Sequence, residues 1–252
     1  MTHDAQLSLV VYGDPGVGKS RFSATAPGPR LVLDAEGSHR FIPGKRIKWN
    51  PLSEPAPEHD GSWDTCIVSV LDWDTFGKVY EVLRSGKHPF VSIIIDTLTE
   101  LQKRLVDDVA GVDQPTQQGW GQVLRSMDDY LRKVRDLLDH PTNPLTCVVI
   151  VVHADFDQQT AQYKPLLKGS ISKFLPGHFD VIGYMFKVDG PDGAVRSLLV
   201  DSFVKDGRTY VAKDRTAALT LKYGKAIPSP NIATMLDDIN NYLNSTEEAV
   251  TE

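Results

Sequence analysis

The amino-acid sequence predicts an α/β fold with a mostly parallel central sheet flanked by helices. Short apolar runs alternate with helix-like segments through residue 152, which is typical of strands joined by crossover helices. The runs Val91–Ile95 and Thr146–Val152 are almost continuously apolar, as expected for strands that are buried on both faces. A β-rich portion follows, and no clear linker separates it from the first part. We therefore predict one core domain over residues 1–245, with a β-rich C-terminal extension, and a disordered tail over 246–252.

The individual elements follow from hydrophobic periodicity and turn signals. Leu7–Tyr12 is predicted as a strand that enters a glycine-rich turn, and Leu31–Leu33 as a second strand. Residues 43–62 are rich in proline, glycine and charge, and are expected to form a surface excursion. Helices are expected at Trp73–Leu83, Thr97–Val109, Trp120–Leu138 and Asn231–Leu243, and further strands at Val181–Val188, Val195–Val204 and Thr209–Ala212.

Composition places the chain among ordinary soluble proteins. It has 252 residues, of which 41% are hydrophobic and 24% are charged. No apolar run is long enough to span a bilayer, so no membrane partner is expected. We expect a cytoplasmic location, which would be the host cytoplasm if a phage encodes the chain. Cys66 and Cys147 lie in apolar, strand-like runs, which predicts buried, reduced thiols rather than a disulfide or a metal site.

The strongest motif follows the first predicted strand. Residues Gly13–Ser20 read Gly-Asp-Pro-Gly-Val-Gly-Lys-Ser and match the P-loop pattern G-x-x-x-x-G-K-[ST] completely. Glycines let the backbone wrap around phosphate oxygens, and the exposed N–H groups at a helix N-terminus attract anions. The motif therefore predicts an ATP site. Its expected contacts are Gly13, Asp14, Pro15, Gly16, Val17, Gly18, Lys19, Ser20 and Arg21.

A magnesium ion is expected beside this loop. The Lys19 amine can reach the β- and γ-phosphates, and the Ser20 hydroxyl can ligate Mg²⁺. Asp96, at the end of the buried strand Val91–Ile95, supplies the second carboxylate that such a site needs. The alternative is that Asp96 only caps the following helix.

Two further side chains at strand ends are candidates for catalysis. Hydrolysis needs a group that orients or activates the attacking water. Glu36 follows the strand Leu31–Leu33, and His153 follows the strand Thr146–Val152. A carboxylate can polarise water, and a histidine on a neighbouring strand can sense the γ-phosphate. The alternatives are an exposed loop acid and a histidine that is satisfied by local hydrogen bonds.

Three short elements resemble those of a known family. Asp34-Ala-Glu36 looks like the catalytic-glutamate strand of RecA-like recombinases, and His153 lies where that family has its polar γ-phosphate sensor. Lys213-Asp-Arg215 is similar to the Lys-x-Arg element of RecA-like hexameric helicases and related recombination ATPases. With the P-loop, the sequence most resembles the small phage-type RecA-core ATPases, which include single-strand annealing and recombination proteins.

This resemblance implies a RecA-like P-loop ATPase that assembles as a ring or filament of identical subunits. It implies that Lys213 and Arg215 reach the ATP of the neighbouring subunit, where a cation neutralises charge on the γ-phosphate. It also implies single-stranded DNA as a partner in recombination or annealing, with a single-strand binding protein as a further partner. From the residues alone, Lys213 and Arg215 can equally be a solvated strand end.

The net charge of −6 confines any nucleic-acid contact to local basic segments. The segment 158–179 contains no carboxylate and is expected to be a nucleotide-responsive loop that contacts DNA through Lys164, Lys168 and Lys173. The alternative is a basic surface with no ligand. The polar loop Gly111–Gly119 and the basic region Lys205–Lys225 are further candidates.

Two other functions remain open for the same core. One is a DNA-translocating motor or helicase subunit, although the sequence contains no recognisable helicase accessory domain. The other is a nucleotide-dependent switch that binds protein partners and no DNA. A small-molecule kinase is less favoured, because no arginine-rich lid follows the core.

Overall fold

The computed structural model describes residues 5–111, 113–190 and 193–251, with side chains described as far as Thr246. Residues 1–4 of the predicted core domain and Glu252 of the predicted tail lie outside the described residues. So does Val112 of the candidate loop Gly111–Gly119.

A single sheet runs through the molecule, and its strand order is β13-β9-β8-β1-β6-β5-β2-β4-β3. Every neighbouring pair from β8 to β3 is parallel, whereas β9 and β13 add antiparallel strands at the other edge. The strands are β1 Leu7–Gly13, β2 Arg30–Asp34, β3 Arg46–Lys48, β4 Thr65–Ser69, β5 Ser92–Asp96, β6 Cys147–Asp157, β7 Gln162–Pro165, β8 Val181–Gly190, β9 Gly193–Leu199, β10 Phe203–Lys205, β11 Arg208–Tyr210, β12 Lys213–Asp214 and β13 Ala226–Pro228.

Helices cover both faces of this sheet because side chains of successive strand residues point in opposite directions. Val10 and Tyr12 of β1 belong to the core that includes α2, α3, α4 and α5. Leu9 and Val11 belong to the core that includes α1, α6 and α7. The helices are α1 Lys19–Ser23, α2 Trp73–Arg84, α3 Leu98–Ala110, α4 Gln117–Arg135, α5 Ile171–His178, α6 Ala218–Tyr223 and α7 Ile232–Thr251. The predicted α/β fold with a mostly parallel, helix-flanked sheet is confirmed.

Side-chain caps fix where the larger helices begin. Asp72 accepts a hydrogen bond from the Thr75 N–H at 2.7 Å, and Thr97 accepts one from the Glu100 N–H at 3.2 Å. Each cap satisfies a backbone donor that has no partner within its helix. The Thr97 cap lies directly after β5, so α3 starts at the carboxyl end of a central strand.

The structure differs from the sequence prediction in the segment after His153. Strand β6 does not end there but continues to Asp157 and pairs with β7 as an antiparallel hairpin. Segment 158–179 therefore contains strand β7 and helix α5, rather than only a loop. A small second sheet forms, in which β7 also pairs with β11 and β11 pairs with β10. At the C-terminus, α7 extends past Leu243 into the segment predicted as a tail.

Both cysteines are fully buried in strands, and burial raises the pKa of the Cys66 thiol to about 12 and also raises that of Cys147. Neither thiol forms a disulfide. Among the described residues, no helix is both long and apolar enough to cross a membrane.

Tyr12 connects the small sheet to the P-loop strand. Its side chain is fully buried, and its hydroxyl lies 2.6 Å from the Val211 carbonyl oxygen and 3.0 Å from that of Tyr163. Burial raises the pKa of this phenol, so it stays protonated and donates. Because Tyr12 immediately precedes Gly13, these hydrogen bonds attach the small sheet to the chain one residue before the phosphate-binding loop.

We expect Tyr12→Phe to lower the free energy of unfolding by about 1–3 kcal/mol, since buried carbonyl groups lose their donor. Urea denaturation followed by circular dichroism measures this change. Tyr80→Phe is the matched control, because the half-buried Tyr80 hydroxyl makes no hydrogen bond within the described part of the chain. Equal stabilities of the two variants would contradict the role given to the Tyr12 hydroxyl.

Candidate nucleotide-binding site

Glycines determine the shape of the P-loop, because they occupy positions where a side chain would not fit. A Cβ atom on Gly13 would collide with the main-chain carbonyl oxygen of Met185 on the adjacent strand β8. Gly18, immediately before α1, has a φ of 108°, a conformation that side-chain-bearing residues rarely adopt. The loop therefore turns tightly from β1 into α1, with the first N–H groups of the helix at its centre.

The Lys19 side chain lies inside this loop. It is only 8% exposed, and its Nζ donates to the carbonyl oxygens of Gly13 at 2.8 Å and Asp14 at 3.0 Å. Burial lowers the pKa of this amine, whereas Asp96, Glu36 and Asp14 oppose the shift. No carboxylate forms an ion pair with it among the described residues. A phosphate group is a suitable partner for a cation held in this way.

Hydrogen bonds between side-chain oxygen atoms connect the P-loop to Asp96. The Ser20 hydroxyl lies 3.3 Å from the Ser38 hydroxyl, which in turn donates to Asp96 Oδ2 at 3.1 Å. The other carboxylate oxygen, Oδ1, is buried and has no hydrogen-bond partner in the described part of the chain. Hard oxygen ligands of this kind fit Mg²⁺, which binds to one or two protein groups, water and substrate phosphates. No group of three or more His, Cys, Asp or Glu side chains that could together hold a metal ion occurs among residues 5–111, 113–190 and 193–251.

His39 holds the Asp96 carboxylate from its other side. The His39 Nε2 atom lies 2.9 Å from Asp96 Oδ2, and both side chains are 1% exposed. The turn that carries His39 is fixed by Asp34, whose carboxylate accepts the main-chain N–H groups of Gly37, Ser38 and His39. The sequence analysis missed both Ser38 and His39, because no local pattern connects them to Asp96.

Glu36 and His153 are in direct contact. His153 Nε2 lies 2.7 Å from Glu36 Oε1, and the Thr97 hydroxyl donates to the same oxygen at 2.8 Å. The hydrogen bond from His153 is the main cause of a lowered Glu36 pKa, and burial opposes it. Glu36 is therefore ionised at neutral pH. Its second oxygen, Oε2, makes no hydrogen bond within the described residues and remains available to a water molecule.

Strand register explains why these distant residues meet. Gly13 of β1 is paired with His153 of β6, and Asp34 of β2 is paired with Asp96 of β5. Because the strands are parallel, all four residues lie at the carboxyl ends of their strands, on one side of the sheet. Open α/β folds bind their ligands on this side. His153 is the last β6 residue paired with β1, and Ala154 is the first paired with β7. It thus lies where β6 leaves the main sheet.

Arg196 is a further cation at the P-loop, which the sequence analysis did not single out. It extends from β9, and its Nε donates to the Val17 carbonyl oxygen at 3.2 Å. A Cβ atom on Gly18 would lie 2.5 Å from the same nitrogen, so the guanidinium rests on the loop. It forms no ion pair among the described residues. The only sequence signal is a charged residue within an apolar strand-like run.

The structure does not bring Lys213 and Arg215 into this site. Strand β12 pairs with β8 at Ile182, whereas Gly13 pairs at Met185, roughly 10 Å farther along the strand. Lys213 Nζ donates to the Phe179 carbonyl oxygen at 2.9 Å. Arg215 forms an ion pair with Asp180 at 3.2 Å. Their action on a neighbouring subunit stays a prediction.

The three candidate DNA-contacting lysines also lie outside the site, in different settings. Lys164 forms an ion pair with Asp157 at 2.7 Å, and that hydrogen bond lowers the Asp157 pKa to about 2. The Lys168 amine lies 5.7 Å from the centre of the Trp120 ring. Lys173 is exposed on α5. Their contact with DNA stays a prediction.

The fold and the P-loop geometry define an ATP-binding protein of the P-loop class. A family of AAA domains, AAA_24, matches residues 5–216, and the chain belongs to this family. No curated protein matches the chain in sequence.

Two solved structures are similar in general fold. One is a KaiC-like protein from the hyperthermophilic archaeon Pyrococcus horikoshii OT3, with 12% identity and a TM-score of 0.41, covering 81% of this chain and 88% of that one. The other is the genome packaging NTPase B204 of Sulfolobus turreted icosahedral virus 2, with 15% identity and a TM-score of 0.36, covering 76% of this chain and 78% of that one.

We expect Arg196→Ala to weaken ATP binding by about 10- to 100-fold, because a charge-assisted contact of about 1.5–3 kcal/mol would be lost at the phosphate-binding loop. Titration with a fluorescent ATP analogue measures the dissociation constant. Lys78→Ala, which removes an exposed cation from helix α2, is the control. An unchanged affinity in Arg196→Ala would place the guanidinium out of reach of the phosphates.

Proposed function

We propose that the protein hydrolyses ATP in a magnesium-dependent reaction. The observation that carries this proposal is the Glu36 carboxylate, which is held by His153 and Thr97 with one oxygen available. The Glu36 and Asp96 carboxylates both raise the pKa of Lys19 against the effect of burial, and Asp96 Oδ1 has no hydrogen-bond partner among the described residues.

Each residue has a distinct role in this proposal. Lys19 and the P-loop N–H groups bind the phosphates, and Ser20 and Asp96 hold Mg²⁺. The metal ion would neutralise charge on the phosphate oxygens when bound. Glu36 orients the attacking water and accepts its proton, and its lowered pKa keeps it ionised for that purpose. His153 positions Glu36 and senses whether the γ-phosphate is present.

We also propose that hydrolysis serves single-stranded DNA in recombination or annealing, and that identical subunits assemble to do so. Strand β6 supports this coupling, because it leads from His153 directly into the small sheet β7-β11-β10. The position of Lys213 and Arg215 away from their own P-loop supports assembly, since there they can reach a neighbouring nucleotide only across an interface. A single-strand binding protein remains a candidate partner.

Glu36→Gln should retain ATP binding and slow steady-state turnover by about 10²–10⁴-fold, because general-base assistance is lost. Lys19→Ala should abolish turnover. Phosphate release and nucleotide affinity are measured side by side, with Glu81→Gln as a surface control, because Glu81 lies exposed on α2 and its ion pair within the described residues is with Arg84. Wild-type turnover in Glu36→Gln would remove Glu36 from the mechanism.

A mixture of Lys19→Ala and Arg215→Ala subunits should regain part of the ATP turnover that each variant loses alone. The reason is that a subunit with an intact P-loop can then meet an intact Arg215 on its neighbour. Activity is measured across mixing ratios, after mixed assembly is confirmed by tagging one variant. Complete inactivity of confirmed mixed assemblies would contradict action of Arg215 between subunits.

A further inference from the structure

A series of aromatic rings crosses from the main sheet into the small sheet. The Tyr163 and Tyr210 rings are stacked, with centroids 4.7 Å apart and planes inclined by 3°. Tyr184 lies 4.9 Å from Tyr210 and continues to Phe186 at 6.1 Å, with planes inclined by 10°. At the other end, Phe156 lies 4.9 Å from Tyr163. Most of these rings are only partly buried, so the series is not simply a part of the core.

This series borders an open groove. The groove is open, and its cavity volume of about 210 Å³ lies below the range of about 300–1,000 Å³ that is common for small-molecule sites. Strand β10 forms one wall and presents Phe203 and Lys205 to it, whereas Val204 between them is not part of the lining. The complete lining is Tyr184, Phe186, Leu199, Phe203, Lys205 and Tyr210. We call this the aromatic groove.

Three cations border the aromatic series: Lys205 and Lys225 lie at the groove itself, and Arg208 lies at the Phe156 end. The Lys225 amine lies 5.3 Å from the centre of the Phe203 ring, and the Arg208 guanidinium lies 5.3 Å from that of Phe156. Within the described residues, Lys205, Arg208 and Lys225 form no ion pair. Asp206 is the single acid between Lys205 and Arg208. This differs from Lys164, whose charge is matched by Asp157.

We propose that the aromatic groove binds single-stranded nucleic acid, with bases stacked on its rings and phosphates beside its cations. Aromatic faces together with unpaired cations suit a polymer that offers unstacked bases and a phosphate at every step. A duplex does not fit, because its bases are already stacked on each other. The proposal rests on the proposed action on single strands and gives it a surface other than the Lys164–Lys173 segment.

Hydrogen bonds and a shared β-strand also connect the aromatic groove to the ATP site. Tyr12 donates hydrogen bonds to the carbonyl oxygen of Tyr163, a member of the aromatic series, and to that of Val211, which follows Tyr210. Tyr12 also directly precedes Gly13 of the P-loop. Phe156 lies three residues after His153 on the same strand. A nucleic-acid strand bound in the aromatic groove would therefore contact parts of the chain that are connected to the P-loop through Tyr12 and to His153 through β6.

Binding of a short fluorescent oligothymidylate, followed by anisotropy across a salt series with and without a non-hydrolysable ATP analogue, tests the proposal. We expect Phe203→Ala to weaken binding by about ten-fold and Phe203→Trp to retain it. Lys205→Ala should reduce the slope of log affinity against log salt by about 0.7, which corresponds to one phosphate contact. Val204→Ala, on the opposite face of the same strand, is the matched control and should bind like the wild type.

Several outcomes would overturn the proposal, and each points to a different failure. Oligonucleotide binding by wild type that is equal in Phe203→Ala and Lys205→Ala would reject the groove but keep the proposed action on single strands. No oligonucleotide binding by wild type would reject both, while ATP turnover without oligonucleotide tests hydrolysis separately. A raised KM for ATP in Phe203→Ala without oligonucleotide would make the groove a site for the base of ATP. Circular dichroism confirms that each variant is folded.

Discussion

The common register of four parallel strands is the constraint on which the site depends. It places Gly13, Asp34, Asp96 and His153 at one edge of the sheet, although they are distant in sequence. A shift by one residue would turn every side chain of a strand to the opposite face, and the buried apolar residues on both faces prevent this. The same packing that stabilises the core therefore fixes the position of the phosphate loop relative to the acidic side chains.

Several charged or ionisable side chains near these strand ends are almost completely buried. Lys19 is 8% exposed, and Asp96 and His39 are each 1% exposed. A buried charge is costly unless it is paired or hydrogen-bonded, and here the Asp96 carboxylate is hydrogen-bonded to His39, while the half-buried Glu36 is hydrogen-bonded to His153. Lys19 contacts carbonyl oxygens instead of a carboxylate, and one Asp96 oxygen has no partner in the described part of the chain. A triphosphate with Mg²⁺ would supply the missing opposite charges, so the site and its ligand complement each other.

The sequence predicts well those structural features that depend on a pattern of residues contiguous in the chain. The P-loop and the buried central strands are of this kind, and residues that follow apolar strands identify Glu36, Asp96 and His153 as candidates. Ser38, His39 and Arg196 were missed because their contacts depend on pairing between distant strands. The hairpin after His153 was missed because residues 157–162 are polar except for Ala161, which favours a loop, whereas pairing of β7 with β6 and β11 outweighs that local preference.

The account depends most on Glu36 as the group that activates water. A crystal structure with Mg²⁺, ADP and a planar phosphoryl-transfer mimic tests this most directly. The account predicts that a Glu36 oxygen hydrogen-bonds to a water in line with the mimic, with Ser20 on the metal ion and Asp96 beside it. A structure in which another side chain holds that water, while Glu36 lies away from it, would contradict the account.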